Sequence, residues 1–223
     1  MQRLFDLIFS GLAITVFLPI LIPIVVALRF SGEGEIIYKQ QRVGRNGNTF
    51  DLIKFATMLK NSEKIGTGEI TIKNDPRVLP FGRFLRKSKI NELPQLLNIF
   101  IGDMSVIGPR PMVPRTYAKY PKDAVAVLNT VRPGLSGIGS IIFRDEEVYL
   151  DAVENPTEFY DKNITPYKSE LERWYVENNS ITLYFKLIFL TVWVVIFPMS
   201  DFPRKILSDL PKAPYWLLEK QKQ

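Results

Sequence analysis

From Leu7 to Leu28 the chain reads LIFSGLAITVFLPILIPIVVAL, twenty-two residues without a charged side chain. As a helix rising 1.5 Å per residue, such a segment reaches across the roughly 30 Å hydrocarbon layer of a bilayer. It begins too near Met1 and runs too long for the apolar region of a cleaved secretory signal, and no small-residue cleavage site follows, so it is expected to stay attached. Pro19 and Pro23 interrupt it. Each removes a backbone N–H and crowds the carbonyl four residues earlier, Thr15 in the first case, and each pushes the preceding Leu18 or Ile22 away from helical geometry. A kink is expected there, and it permits a re-entrant hairpin; a tilted, kinked span and a buried helix of a soluble core stay open beside it. Arg3 precedes the segment, while Arg29, Lys39, Arg42 and Arg45 follow it. Cations on both flanks suit both ends on the cytoplasmic face.

The chemistry open to the rest of the chain is narrow. Its 223 residues include neither cysteine nor histidine, which removes disulfides, thiol nucleophiles, imidazole acid–base work and the N/S ligands that zinc prefers. Reaction chemistry would rest on Asp, Glu, Lys, Tyr, Ser or Thr, and a metal would be a hard cation held by oxygens, magnesium first. The net charge of +6 favours anionic partners, whether lipid, phosphorylated small molecule or nucleic acid. No run of five basic residues and no zinc-finger or ribonucleoprotein spacing occurs, which argues against nucleic acid.

Between Glu35 and Met58, β-rich runs flank RNGN, the pattern of a strand, a tight turn and a second strand. Lys54 lies among apolar neighbours in the second run, either as a snorkelling surface lysine or as a phosphate ligand. Farther on, Lys73, Arg77, Arg83, Arg86, Lys87 and Lys89 approach the segment NELPQLLNIF. Asn91 reads as its N-cap, with Glu92 in the first turn and Pro94 still tolerated. Unpaired N–H groups beside arginines would form a phosphate site; an ordinary capped helix with a solvated basic approach fits the same letters. Two glycine-containing loops, SVIGPRP with Arg110 and VRPGLSGIGS with Arg132, add guanidinium groups able to fork onto phosphate, although such loops are also common turns.

Taken in order, KQQRVGRNGNTF, LIKFATM, NDPRVLPFGRFLRKSKINELPQLLN, GDMSVIGPRP and RPGLSG, behind a proline-broken apolar segment, resemble the bacterial sugar transferases that act as small monotopic polyprenyl-phosphate phosphoglycosyl transferases. The likeness runs from about Arg3 to Gly139 and is loose beyond about 150. It implies an α/β monotopic membrane protein with a re-entrant N-terminal helix (1–30), a cytoplasmic catalytic domain (31–150) and a helical C-terminal region of interfacial amphipathic helices (151–223). It implies transfer of a sugar-1-phosphate from a UDP-sugar to undecaprenyl phosphate, with release of UMP, magnesium as cofactor, and a place at the cytoplasmic face of the bacterial inner membrane. The oligomeric state stays open, a homodimer included, and the sugar is not identified.

The same resemblance assigns residues. The family's motif is Asp-Glu-Leu-Pro-Gln, in which the Asp attacks the diphosphate and the Glu assists; this chain has Asn91-Glu92-Leu93-Pro94-Gln95. Glu92 is then the catalytic carboxylate and the metal ligand, and Lys54, Asp75, Arg77, Arg86, Arg110 and Arg132 fall on substrate-binding positions. An amide caps a helix as well as a carboxylate does, but it is neutral and a poor nucleophile. Three routes remain: Glu92 takes the role, Asp75, Asp103 or the lipid phosphate itself supplies the attack, or the chain binds without turnover. Leu18 and Ala56 are lesser departures, at positions where the family usually has Ser and a basic residue.

In the C-terminal third, Leu187 to Pro198 is apolar all round yet short for a span, and lengthening it back to Ile181 would place Lys186 in lipid. A buried or interfacial helix is expected. The closing stretch, with Tyr215 and Trp216 among leucines and lysines, reads as a helix in the headgroup layer or as a frayed amphipathic end.

Overall fold

The computed structural model describes residues 1–65, 75–144, 149–150, 153–197 and 200–220. Lys73 and Pro198, both singled out above, lie outside these residues.

Helix α1 runs from Gln2 to Arg29 and passes through both prolines. Where the sequence leads one to expect a kink, at Pro19 and Pro23, the helix is not interrupted. Each proline deletes one hydrogen bond, but the bonds on either side persist and both ends of the helix are fastened to the same domain. Near its start, the Asp6 carboxylate accepts hydrogen bonds of 2.9 Å from Ser105 Oγ, Val106 N and Tyr184 Oη. Near its end, Ile24 and Leu28 pack with Phe55 and Leu85. Between them Ala13, Ile14 and Phe17 lean on Leu52, Leu96 and Ile99. The opposite stripe, with Leu12, Val16, Ile20 and Ile22, stands at least half exposed. One helix thus lies along the domain and turns an apolar face outward.

Strands β1 (Ile37–Val43) and β2 (Thr49–Phe55) pair antiparallel in register from Ile37↔Phe55 to Val43↔Thr49. The expected hairpin is present, and Asn46 and Gly47 take φ of 61° and 76°, the two left-handed residues that a tight turn between twisted strands requires. Helix α2 (Pro80–Lys87) follows, packed so closely on the backbone after β2 that a Cβ on Gly82 would stand 2.2 Å from the Thr57 carbonyl oxygen. A single turn (Ile90–Glu92) leads into α3 (Gln95–Ile101), which stops at Gly102 with φ of 105°. Strand β3 (Ser105–Ile107) then pairs in parallel with β4 (Gly134–Ser136), with α4 (Pro114–Tyr117) and α5 (Lys122–Leu128) between them. Among the described residues the strands form these two small sheets, and the fold is mixed α/β as expected.

The largest core joins β3 and α6 (Ile138–Ile142) to the helices that follow: α7 (Pro156–Phe159), α8 (Thr165–Glu177), α9 (Ile181–Ile196), α10 (Phe202–Ile206) and α11 (Tyr215–Lys220). Leu171, Tyr184, Leu187 and Leu190 are fully enclosed there, each contributing about 1.5–3 kcal/mol through burial. Helix α9, 16 residues and so about 24 Å long, is too short to cross a bilayer. It buries Leu183, Leu187 and Val194 and exposes Phe189, Val192 and Val195 on its other side. Its Phe185 ring meets Phe5 and Phe9 of α1 at 5.0 and 6.1 Å between centroids, which brings the two helices together. At the C-terminal end Leu217 is wholly buried, Tyr215 is 74% exposed, and Trp216 stacks on Phe143 and meets Tyr149 and Phe159 edge-on. An aromatic box in the main core holds a segment whose composition suits the headgroup layer equally well.

Candidate active site

Strand β2, the C-terminal end of α2, the Ile90–Glu92 turn and the loop after β3 converge on one carboxylate. Lys89, with φ of 60°, ends the approach from α2 and reverses the chain into the turn. Glu92 emerges beside Arg110, whose Nη2 donates to Glu92 Oε1 at 2.8 Å. The Glu92 side chain is 17% exposed. Burial alone would push its carboxyl up, yet Arg110, Lys54 and Lys89 outweigh burial and hold it at about 2. Lys54 is the converse case. Burial lowers its ammonium to about 7, and although Glu92 opposes the shift, Arg42, Arg110 and Arg86 reinforce it. One anion amid five basic side chains leaves a strong local excess of positive charge, the arrangement a diphosphate would neutralise.

Several neighbours hold these groups in place. Buried Asn98 on α3 accepts from Ile53 N at 3.0 Å and donates to the Asp51 carbonyl at 2.9 Å, which fastens β2 on both sides of Leu52 just ahead of Lys54. Arg42 donates to the Pro111 carbonyl at 2.9 Å, tying β1 to the loop of Arg110. Arg86 points its Nη1 at Met58 Sδ, 3.8 Å away, a weak contact that leaves the guanidinium available for a stronger acceptor.

The cap role expected of Asn91 is not observed. The first-turn donors are already used by short-range backbone bonds, Leu96 N to Leu93 O and Leu97 N to Pro94 O, each at 3.0 Å. Helix α3 begins after Pro94, and the Asn91 side chain, 6% exposed, leaves its Oδ1 without a hydrogen-bond partner. A phosphate cradle built from free N–H groups at this helix start is excluded for the same reason.

Of the residues assigned by resemblance, Lys54, Arg86, Glu92 and Arg110 share one electrostatic neighbourhood, with Asn91 adjoining in the chain. Asp75 and Arg77 are elsewhere committed. They are 2% and 4% exposed, joined by two side-chain bonds of 2.9 and 2.6 Å, and Arg77 Nη1 also donates to the Ser62 and Ile65 carbonyls. Asp103, the other alternative carboxylate, accepts from Asn98 Nδ2 at 3.2 Å. Arg132 turns away to the Gly102 carbonyl at 2.8 Å and lines a separate cavity of about 170 Å³ with Gln2, Arg3, Asp6, Arg45 and Tyr175.

Sequence reasoning passed over Asn98, Arg42 as a site residue, and Glu172. Helix α8 buries both Lys168 and Glu172, which no local signal in the sequence marks. For a metal, the oxygens on offer are the Glu92 carboxylate and the orphaned Asn91 amide oxygen; among the described residues no three acidic, His or Cys side chains gather. A hard cation that takes one or two protein oxygens and completes its shell from substrate phosphates and water is compatible with that set.

Comparison with known proteins adds the context. The family model described as bacterial sugar transferase matches residues 1–198. The chain is 35% identical over 172 residues to the exopolysaccharide production protein ExoY of Rhizobium meliloti (strain 1021), covering 71% of this chain and 76% of that protein. It is 31% identical over 210 residues to an undecaprenyl-phosphate galactose phosphotransferase of Salmonella typhimurium, and 33% identical over 197 residues to a UDP-glucose:undecaprenyl-phosphate glucose-1-phosphate transferase of Klebsiella pneumoniae. Those matches cover 88% and 86% of this chain but only 40% and 39% of the relatives, so the chain spans about two fifths of the length of such proteins.

Proposed function

The chain belongs to the bacterial sugar transferase family, and from that premise we propose that it transfers a sugar-1-phosphate from a UDP-sugar to undecaprenyl phosphate, releasing UMP. The observation that carries this reading is the ionised Glu92 bonded to Arg110 within a group of Lys54, Arg42 and Arg86. Arg86 and Arg110 grip phosphate oxygens, and Lys54, poised to change protonation near neutral pH, supplies a proton to the departing UMP phosphate. Asn91 carries no charge to attack with, and Glu92, held at about 2 by its cations, is a weak nucleophile. The oxygen of the lipid phosphate therefore attacks the sugar-bearing phosphorus directly; that P–O bond forms as the P–O bond to UMP breaks. Glu92 and the Asn91 amide oxygen would hold magnesium, which supplies charge neutralisation for the diphosphate when bound.

The place of reaction is the cytoplasmic face of the inner membrane. What supports this is α1 packed on one domain at both ends with an apolar outer stripe, and α9, which meets it through Phe5 and Phe185, exposing apolar side chains too, features suited to the interfacial layer.

The neutral amide at residue 91 favours one competing reading, a relative that binds nucleotide-sugar without turnover. Measuring UMP release from UDP-sugars with undecaprenyl phosphate and magnesium decides between them. The parent is expected to release UMP without accumulating a phosphosugar adduct, and Glu92→Gln is expected to abolish release. UDP-sugar binding without any release from the parent would establish the silent reading, and an adduct on the parent would overturn direct attack.

A further inference from the structure

Resting on the transferase reading, we propose that Glu172, outside the motifs quoted above, is a positioning residue whose carboxylate fixes the backbone of Arg110 and thereby the guanidinium that holds Glu92. Glu172 projects from α8 and is 3% exposed. Its Oε1 accepts the Arg110 N–H at 3.5 Å, and the backbone N–H groups of Arg110 and Gly139 both favour its charged form. From the same arginine, Nη2 reaches Glu92 Oε1 at 2.8 Å. A path of two hydrogen bonds through one residue therefore joins the helical C-terminal core to the catalytic carboxylate. The approach is tight: a Cβ on Gly139 would stand 2.3 Å from Glu172 Oε1, so the glycine makes room for the carboxylate.

The fold keeps this group at a cost. Burial pushes the Glu172 carboxyl up to about 7, against the pull of Lys168 on the same helix and of Arg110 from the loop after β3. Tyr175, a turn farther along α8, also faces its charge. Lys168 lies over the rings of Phe143 and Tyr160, 5.6 Å from each centroid, and Glu172 Oε2 has no hydrogen-bond partner. Because the folded carboxyl titrates above its unfolded value, stability falls as pH rises from about 4.5 through 7. An apolar residue would pack here without that loss, which points to a use for the acceptor oxygen.

The test uses the full chain in detergent with UDP as probe, its affinity measured by calorimetry beside UMP release and thermal unfolding at pH 8. Glu172→Leu, which removes the acceptor, is expected to weaken UDP binding about tenfold without lowering the unfolding temperature, and Glu172→Gln, which keeps an oxygen there, to stay within about threefold. Gly139→Ala, which displaces the carboxylate, should behave like Glu172→Leu. In an Arg110→Gln background the loss caused by Glu172→Leu should vanish, since both act through one guanidinium. Parent-like UDP affinity in Glu172→Leu, an undiminished loss beside Arg110→Gln, or Glu172→Gln as weak as Glu172→Leu would each overturn the assignment. A parent without UDP affinity overturns the phosphate role of the cluster and this inference together. Coupled UDP binding with no UMP release upholds Glu172 and overturns the transferase reading alone.

Discussion

Replacing Lys54 by methionine should make this protein more stable and less active. The Lys54 ammonium is lowered from 10.5 to about 7 by burial and by Arg42, Arg110 and Arg86. A lysine whose folded value is depressed binds fewer protons folded than unfolded between those limits, so stability rises with pH across that window and is lost as pH falls toward 7. The shift amounts to about 3.5 units at about 1.4 kcal/mol each, and at pH 7, where the folded amine is half protonated, the penalty is about 4 kcal/mol. That figure is an upper bound, because the side chain keeps some contact with water. Methionine has a similar length, carries no charge and avoids the penalty. For a chain of this size each kcal/mol moves the unfolding temperature by roughly 2–4 °C. The variant should therefore unfold several degrees higher at pH 7, with the gap closing as pH is raised toward 10.5, while UMP release falls at least about tenfold through loss of the proton donor. Unfolding followed by tryptophan fluorescence between pH 6 and 10.5 gives the first readout, and a nucleotide-coupled assay the second. A lower unfolding temperature at pH 7, or a gap that widens with pH, would refute the reasoning, since either means that the ammonium stabilises the fold.

Asp75→Asn leaves Arg77 buried without its counter-charge, and the loss should reach roughly 3–5 kcal/mol, read as a drop in denaturation midpoint; a loss below about 1 kcal/mol would mean that the fork is not structural. Leu12→Glu together with Val16→Glu, on the outer stripe of α1, should shift the protein from floating with liposomes of bacterial lipid to the soluble fraction while the domain stays folded. Unchanged flotation would remove α1 from the membrane-facing surface.

Much of this molecule was legible in one dimension because the signals are local. RNGN between two β-rich runs leaves the backbone little alternative to a hairpin, since asparagine and glycine tolerate the left-handed conformation that their neighbours avoid. The length and polarity of Leu7–Leu28 demanded an apolar helix, and the ordered motifs around Glu92 named its family. Other readings failed because local rules were overridden by packing. Asn91 has a good capping side chain, but short-range backbone bonds reached the same donors first. Pro19 and Pro23 disfavour a helix locally, yet α1 runs through both, held near its ends by the contacts of Asp6 and Leu28. The ring contacts of Trp216 with Phe143, Tyr149 and Phe159 were not legible at all, because they join residues far apart in the chain.

By itself the sequence determined which chemistry was available, oxygen and cationic nitrogen without thiol or imidazole, and where the chain would turn, because residue type acts over a few bonds. Only the tertiary structure decided which charges meet. It gathered Lys54, Arg86, Glu92 and Arg110 from four elements, sent Arg132 to another cavity, closed Asp75 on Arg77 and buried Glu172 behind Arg110. The reason is that burial and Coulomb interaction depend on distance through space, and positions separated by dozens of residues acquire those distances only when the elements pack.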